Sequence, residues 1–332
     1  MSCSVVDLDE IENEVQFKSN GINKLFHLAI LHPKLEENHH NINIVLSHLN
    51  MIECRDKFKG TFLIGGDFKV YQFFVGKQNH ACSYPDFACM LKQTKEKSMH
   101  GKAPLLTIGK LIDMHKAYVE SGLSRSELKD IKYQNCEFPQ LLVKEEQLNS
   151  EIRLKNVLDY FLPPTLHIEI GAFDCIFKLM KAEWPACAEW PILENVVPDT
   201  YFGSEGNFSG TQVRALLKPS KFATLLRIST TPPHNPHSAL FIRTLLSLKN
   251  VIDSIFGNSY DNDWQNMLNE FQECILELDT KLGLNYKFKF HFLFEHIPYY
   301  VQKYGALGKY NEQTIEGQFK CHTKYFLCSS TT

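Results

Sequence analysis

The chain has 332 residues, of which 44% are hydrophobic and 22% charged, with 24 Phe and 13 Tyr. That balance excludes disordered, collagen-like and coiled-coil chains and supplies a sizeable core, within one large domain or two ordinary ones. Lys+Arg is 35 against Asp+Glu 38, a net charge of -3, which excludes a uniformly basic nucleic-acid binder but leaves room for a local basic groove.

In chain order, residues 1–20 are polar and acidic and lack the basic-then-apolar pattern of a secretory signal. Residues 22–31 are apolar enough for a buried strand, ended by Pro33, and 41–51 place Ile42, Val45, Leu46 and Leu49 at helical spacing. Gly60 to Asp67 is a short apolar run closed by Gly65-Gly66 and an acid, a pattern that predicts a buried strand ending in a turn. Strand, helix, strand is an α/β opening. After a charged stretch at 92–97 the pattern turns helical, with helices predicted over Leu106 to Ser121, Glu145 to Phe161, Ser238 to Phe256 and Trp264 to Leu282. Proline-rich breaks separate them, and no internal repeat is visible. No apolar run reaches the roughly 18 residues that a spanning helix needs; Arg243 interrupts the best stretch. The ten scattered cysteines then read as reduced thiols or metal ligands of an intracellular protein.

Four features carry chemistry. His291-x4-His296 lies in an aromatic stretch; five residues are about 140° apart on an ideal helix, so the pair meets on one ion only if a helix begins or bends there. A strand would also suit the Lys-Phe alternation, and the sequence leaves the two open. Asp86-x2-Cys89 has the gap of a zinc knuckle, with Asp where Cys is usual and Cys82 in reserve. Asp67 ends the glycine turn, and Glu316 lies near the C-terminus. Read singly, these are an ordinary turn, a buried Cys and a solvated acid.

Their order resembles the catalytic subunit of the recombination-activating (V(D)J) recombinase and its transposase relatives of the Transib type. Phe62 to Lys69 is similar to the family's strand, glycine turn and catalytic Asp; Tyr84 to Cys89 to one zinc half; His291-x4-His296-Ile297-Pro298 to the other. Leu166 to Gly171 and Gly206-Asn207-Phe208 resemble shorter signatures, and Glu316 falls twenty residues past His296, where the family carries its last catalytic Glu. The resemblance implies an RNase H-like α/β core, incomplete here, interrupted by a large mostly helical zinc-binding insertion. The implied divisions are 1–80 as partial core, 81–300 as insertion and 301–332 as a C-terminal helix completing the core. It implies catalytic Asp67, Glu316 and Glu36, with Asp67 and Glu316 holding Mg²⁺ or Mn²⁺ for two-metal nicking and strand transfer. It implies structural Zn²⁺ on Asp86, Cys89, His291 and His296. DNA, as transposon ends or signal-like sequences, is the implied partner, with a homodimer or an accessory subunit, no membrane and a nuclear location. Only 66 residues precede Asp67, so the family's first catalytic Asp is expected to be missing and the activity weak or absent; no strand motif surrounds Asp7 or Asp9. The other expectation is a non-catalytic DNA- or protein-binding module with a structural zinc.

Overall fold

A computed structural model describes residues 3–4, 25–26, 63–77, 83–95, 98–124, 127, 139, 142–190, 193, 208, 210–231, 235–257, 261–284 and 286–310. Predictions for 41–51, for Asp7 and Asp9, for Glu36, for Cys82 and for Glu316 lie outside these residues. The chain divides into two compact units.

The first unit comprises Met1–Lys92, Ala103–Pro164 and Glu312–Thr332. Its strands β1 (Cys3–Ser4) and β2 (Leu25–Phe26) form one short antiparallel pair. Its helices are α1 (Phe68–Val75), α2 (Ile108–Ser121) and α3 (Ser150–Leu154). Among the described residues between them, extended segments meet as isolated bridges, Ile64 with Phe161, Cys89 with Leu105 and Thr107 with Asn156. Tyr71, Phe87 and Phe161 are fully buried at the centre, with ring centroids 4.6–5.3 Å apart. Where α2 starts beside α3, a Cβ on Gly109 would lie 2.9 Å from the Arg153 carbonyl oxygen, so only glycine fits there without a shift.

The RNase H-like core is overturned here. Such a core needs several strands hydrogen-bonded along their length. Among the described residues there is no sheet beyond the two-residue pair of β1 and β2, and the architecture is helical. The apolar run before Asp67 shows why the strand reading failed. Ile64 makes a single bridge among the described residues: its N–H donates to the Tyr160 carbonyl at 2.8 Å, and its carbonyl accepts the Leu162 N–H at 2.9 Å. The chain then turns into α1, whose first N–H groups need acceptors, and the Asp67 carboxylate accepts from the Val70 N–H at 2.8 Å.

The helix predicted over Glu145 to Phe161 is likewise broken into a 3₁₀ turn at Glu145–Gln147, α3, and a second 3₁₀ turn at Val157–Tyr160. Asn149 and Asn156 cause the breaks. Each takes extended backbone, and Asn149 accepts the Ile152 N–H while Asn156 and Asp159 form a capping box.

The second unit comprises Gln93–Lys102 and Thr165–Asn311. It holds α4 (Thr165–Glu183), α5 (Gly210–Leu216), α6 (Pro219–Ile228), α7 (Ser238–Ile255), α8 (Trp264–Leu282), α9 (Phe288–Glu295) and α10 (Ile297–Tyr304). Helices α7 and α8 pack together through Phe241, Leu245, Leu248 and Val251 on one and Leu268, Phe271, Ile275 and Leu278 on the other, all buried at helical spacing. Helix α4 packs on α5, α7 and α9. Leu166 to Gly171 and, from the other short signature, Phe208 lie in this packing, while Gly206 and Asn207 lie outside the described residues. Gly171 of α4 faces the Lys289 side chain of α9, and Phe208 stands edge-on to Phe173 and Phe177 of α4. Buried Glu169 pairs with Arg214 of α5 at 3.3 Å; burial pushes its carboxyl up, and the guanidinium pulls it back. No helix among the described residues is long and apolar enough to cross a membrane.

A candidate metal centre

The Asp-Cys half is a tight turn nailed into the first unit. Pro85 fixes the entry, and the Asp86 carboxylate accepts the Ala88 N–H at 2.8 Å, the two-residue reach of an Asx turn. Phe87, between the two donors, sinks wholly into the Tyr71–Phe161 ring cluster. The turn is then held from both ends. The Leu106 N–H donates to the Ala88 carbonyl at 2.7 Å, and the Gln72 amide of α1 donates to the Pro85 carbonyl. The result aims both donors one way: the Cys89 thiol donates to Asp86 Oδ2 at 3.2 Å.

The histidine half is helical, which resolves the ambiguity of the Lys-Phe alternation. His291 lies within α9, while His296 closes it and starts α10. Pro298 stands at the first turn of α10, where its missing N–H costs nothing. The chain bends at His296, with φ -115° and ψ -32°. A straight helix would hold the rings about 140° apart; here their centroids are 5.0 Å apart and nearly perpendicular. The bend that the five-residue spacing required is present.

Asp86, Cys89, His291 and His296 form one group, with a ligand atom from each within 4.8 Å of the others. All four are buried, none more than 1% exposed. The set fits a metal ion on its chemistry. A buried carboxylate and a buried thiol are expensive to ionise without a compensating charge, and a dication supplies it. Burial is the largest cause that pushes the Cys89 thiol up, with the Asp86 charge next, so without metal it is a neutral S–H. One oxygen, one sulfur and two imidazole nitrogens suit zinc, whose tetrahedral ligands stand about 3.3–3.8 Å apart given its bond lengths.

Of the residues expected to be catalytic, with Asp67 and Glu316 holding Mg²⁺ or Mn²⁺, Asp67 alone lies among the described residues. Asp67 is half-buried and occupied as the N-cap of α1; Glu36 and Glu316 lie outside. Cys175, Cys187 and Cys274 form no disulfide.

Sequence reasoning missed what holds the turn: Gln72, Phe87 and the buried Lys77, whose ammonium donates to the Asp86 and Cys89 carbonyls. A lysine twelve residues before a cysteine carries no sequence signal; an aromatic between two candidate ligands is a faint one. Compared with known families and curated proteins, the chain matches no family model and no curated sequence.

Proposed function

We propose that this chain is a zinc-structured helical module, descended from a DNA recombinase of the kind its motif order resembles, that binds DNA or protein and does not cut DNA. The observation that carries the reading is the buried Asp86, Cys89, His291 and His296 group. Four protein donors complete a tetrahedral site and leave no open position for water or substrate, which is the mark of structural zinc. DNA as the partner, a homodimer or accessory subunit, and a nuclear location come with the resemblance and belong to this proposal.

The second reading, nicking and strand transfer with Mg²⁺ or Mn²⁺, keeps one observation: Asp67 at the head of α1, directly after the glycine turn. Two-metal chemistry requires carboxylates from separate elements to converge on one point, and that convergence is its untested requirement.

The test is metal content alongside a nicking assay. Protein purified without chelator is expected to carry about one zinc per chain, the complement of one four-ligand site. Cys89→Ala and His296→Ala are expected to release it, and supercoiled DNA is expected to stay intact with Mg²⁺ or Mn²⁺. Zinc-free protein of unchanged stability refutes the site. Cleavage that Asp67→Asn abolishes replaces this reading with the second.

A further inference from the structure

Helix α1 ends in a Schellman motif. Gly76 takes φ 73°, and the N–H groups of Gly76 and Lys77 return to the Phe73 and Gln72 carbonyls at 3.2 and 3.1 Å. An L side chain rarely adopts that φ, so the reversal depends on glycine. Lys77 follows directly and is only 6% exposed. A buried ammonium must spend its protons on acceptors. Lys77 Nζ donates to the Asp86 carbonyl and, at 3.2 Å, to the Cys89 carbonyl. These are the two ligand-bearing residues of the turn, three apart in sequence, and their carbonyls converge on one cation. A single ammonium accepted by both carbonyls fixes the distance between the two backbone positions.

Resting on the zinc reading above, we propose that Lys77 is the positioning residue of the centre, a buried cation that folds the 86–89 turn around itself and so presets the Asp86 and Cys89 donors for zinc. It touches the backbone of the ligands and acts on the metal only through them. Outer contacts of this kind set ligand orientation and are worth about 10–100-fold in metal affinity.

The experiment titrates zinc, against a chelator of known affinity, into full-length wild type, Lys77→Met and Lys77→Arg, and records the visible spectrum of each with Co²⁺. Lys77→Met keeps the length and apolar body of the side chain but removes the charge. It is expected to weaken zinc by about 10–100-fold and to change the intensity and position of the cobalt bands, which report ligand geometry. Lys77→Arg restores a cation able to serve two carbonyls and is expected to recover most of the affinity and the wild-type spectrum. Zinc affinity of Lys77→Met within about threefold of wild type, with unchanged cobalt bands, overturns the proposal and leaves the zinc reading standing. Loss of the helical circular dichroism signal in Lys77→Met that saturating zinc does not restore also overturns it, since Lys77 would then serve the fold. Wild type that binds neither metal overturns the zinc reading and this proposal with it.

Discussion

Removing zinc from the purified protein is expected to lower its melting temperature by about 10 °C, taking roughly 2 °C per kcal/mol for a chain of this size. The magnitude follows from where the donors sit in the sequence. Cys89 and His291 are separated by about two hundred residues, and a link across so long a loop removes about 5 kcal/mol of unfolded-chain entropy. Two effects modify that figure. Zinc held weakly by the unfolded chain subtracts from it. The buried Asp86 and Cys89, left without a dication, add roughly 1–3 kcal/mol to the cost of the metal-free state. These oppose each other and are each smaller than the loop term, so the loop term decides. The measurement is scanning calorimetry on protein as purified, after exhaustive chelation and dialysis, and after stoichiometric zinc is returned. Zinc is expected to restore the first melting curve and Mg²⁺ is not, because a hard octahedral ion does not suit a thiolate and imidazole set. If the chelated and zinc-loaded proteins melt within about 2 °C of each other, the reasoning from loop closure is wrong. If zinc raises His296→Ala as much as wild type, the ion is bound elsewhere.

Zinc must displace the Cys89 proton, because burial holds the thiol protonated above its ordinary 9.0; about one proton is therefore expected to leave per zinc bound at neutral pH, visible by calorimetry in buffers of different ionisation heat. In the metal-free protein the same raised thiol contributes stability that is complete below about pH 9 and is lost as pH rises beyond it, since the unfolded thiol ionises first; denaturant melts at pH 8 and 10 test this. Asp67→Ala is expected to cost about 1 kcal/mol by removing the α1 cap, whereas Asp67→Asn, a comparable cap, costs little; equal losses would show that the carboxylate charge itself matters. Gly109→Ala drives a methyl group onto the Arg153 carbonyl oxygen and is expected to cost about 1–3 kcal/mol by urea denaturation. Arg214→Met leaves Glu169 buried without its partner and is expected to cost roughly 3 kcal/mol at pH 7 and less at pH 5, where the raised carboxyl takes up a proton; a pH-independent loss would contradict the pairing.

The two strongest helices were legible almost to the residue. Trp264 to Leu282 is α8, and Ser238 to Phe256 is α7 with one residue too many. Each has one apolar face and one charged face, where Glu277 pairs with both Arg243 and Lys281, so the 3.6-residue period stands clear. Helix α4 escaped because it is apolar on several sides. Leu166, Ile168, Phe173, Ile176 and Phe177 are all buried against different neighbours, and a helix covered all round has no stripe to read. The opposite error occurred before α1. Phe62-Leu63-Ile64 has the composition of a strand, but a strand exists only if partners pair along its length. Ile64 makes one bridge, and the Gly65-Gly66-Asp67 that read as a strand's end is the lead-in and cap of a helix. Composition cannot show which role an aspartate plays after two glycines, because both roles ask for the same short acceptor side chain.

The metal group was more legible than the fold around it, and the reason is chemical. Core positions accept any side chain of suitable volume, so the sequence that fills them is degenerate and says little about topology. A four-ligand site accepts few atoms at few spacings. The spacing also constrained local structure. A five-residue offset between the histidines demanded a bend, and His296 with Pro298 two residues on supplies it. The half-site that departed from the usual pattern is the one whose support the sequence did not reveal. An Asp in place of a Cys changes the donor from sulfur to oxygen, shortens the expected metal bond by about 0.1–0.3 Å and puts one more atom between Cα and the donor, so its backbone must sit further from the ion than a cysteine's. That demand falls on the turn, which is tied down by Phe87 in the ring cluster, by the Asx bond to Ala88, and by Gln72 and Lys77 on its carbonyls. Restoring the usual ligand with Asp86→Cys would test how far the turn is built for oxygen. A thiol at position 86 cannot accept the Ala88 N–H as a carboxylate does, so the variant gains a softer donor and loses the bond that shapes the turn. If the turn is adapted to Asp86, zinc affinity is expected to rise by less than about tenfold despite the better donor, and the metal-free form to lose about 1 kcal/mol. A gain well beyond tenfold with no loss of metal-free stability would mean that the carboxylate is merely tolerated there.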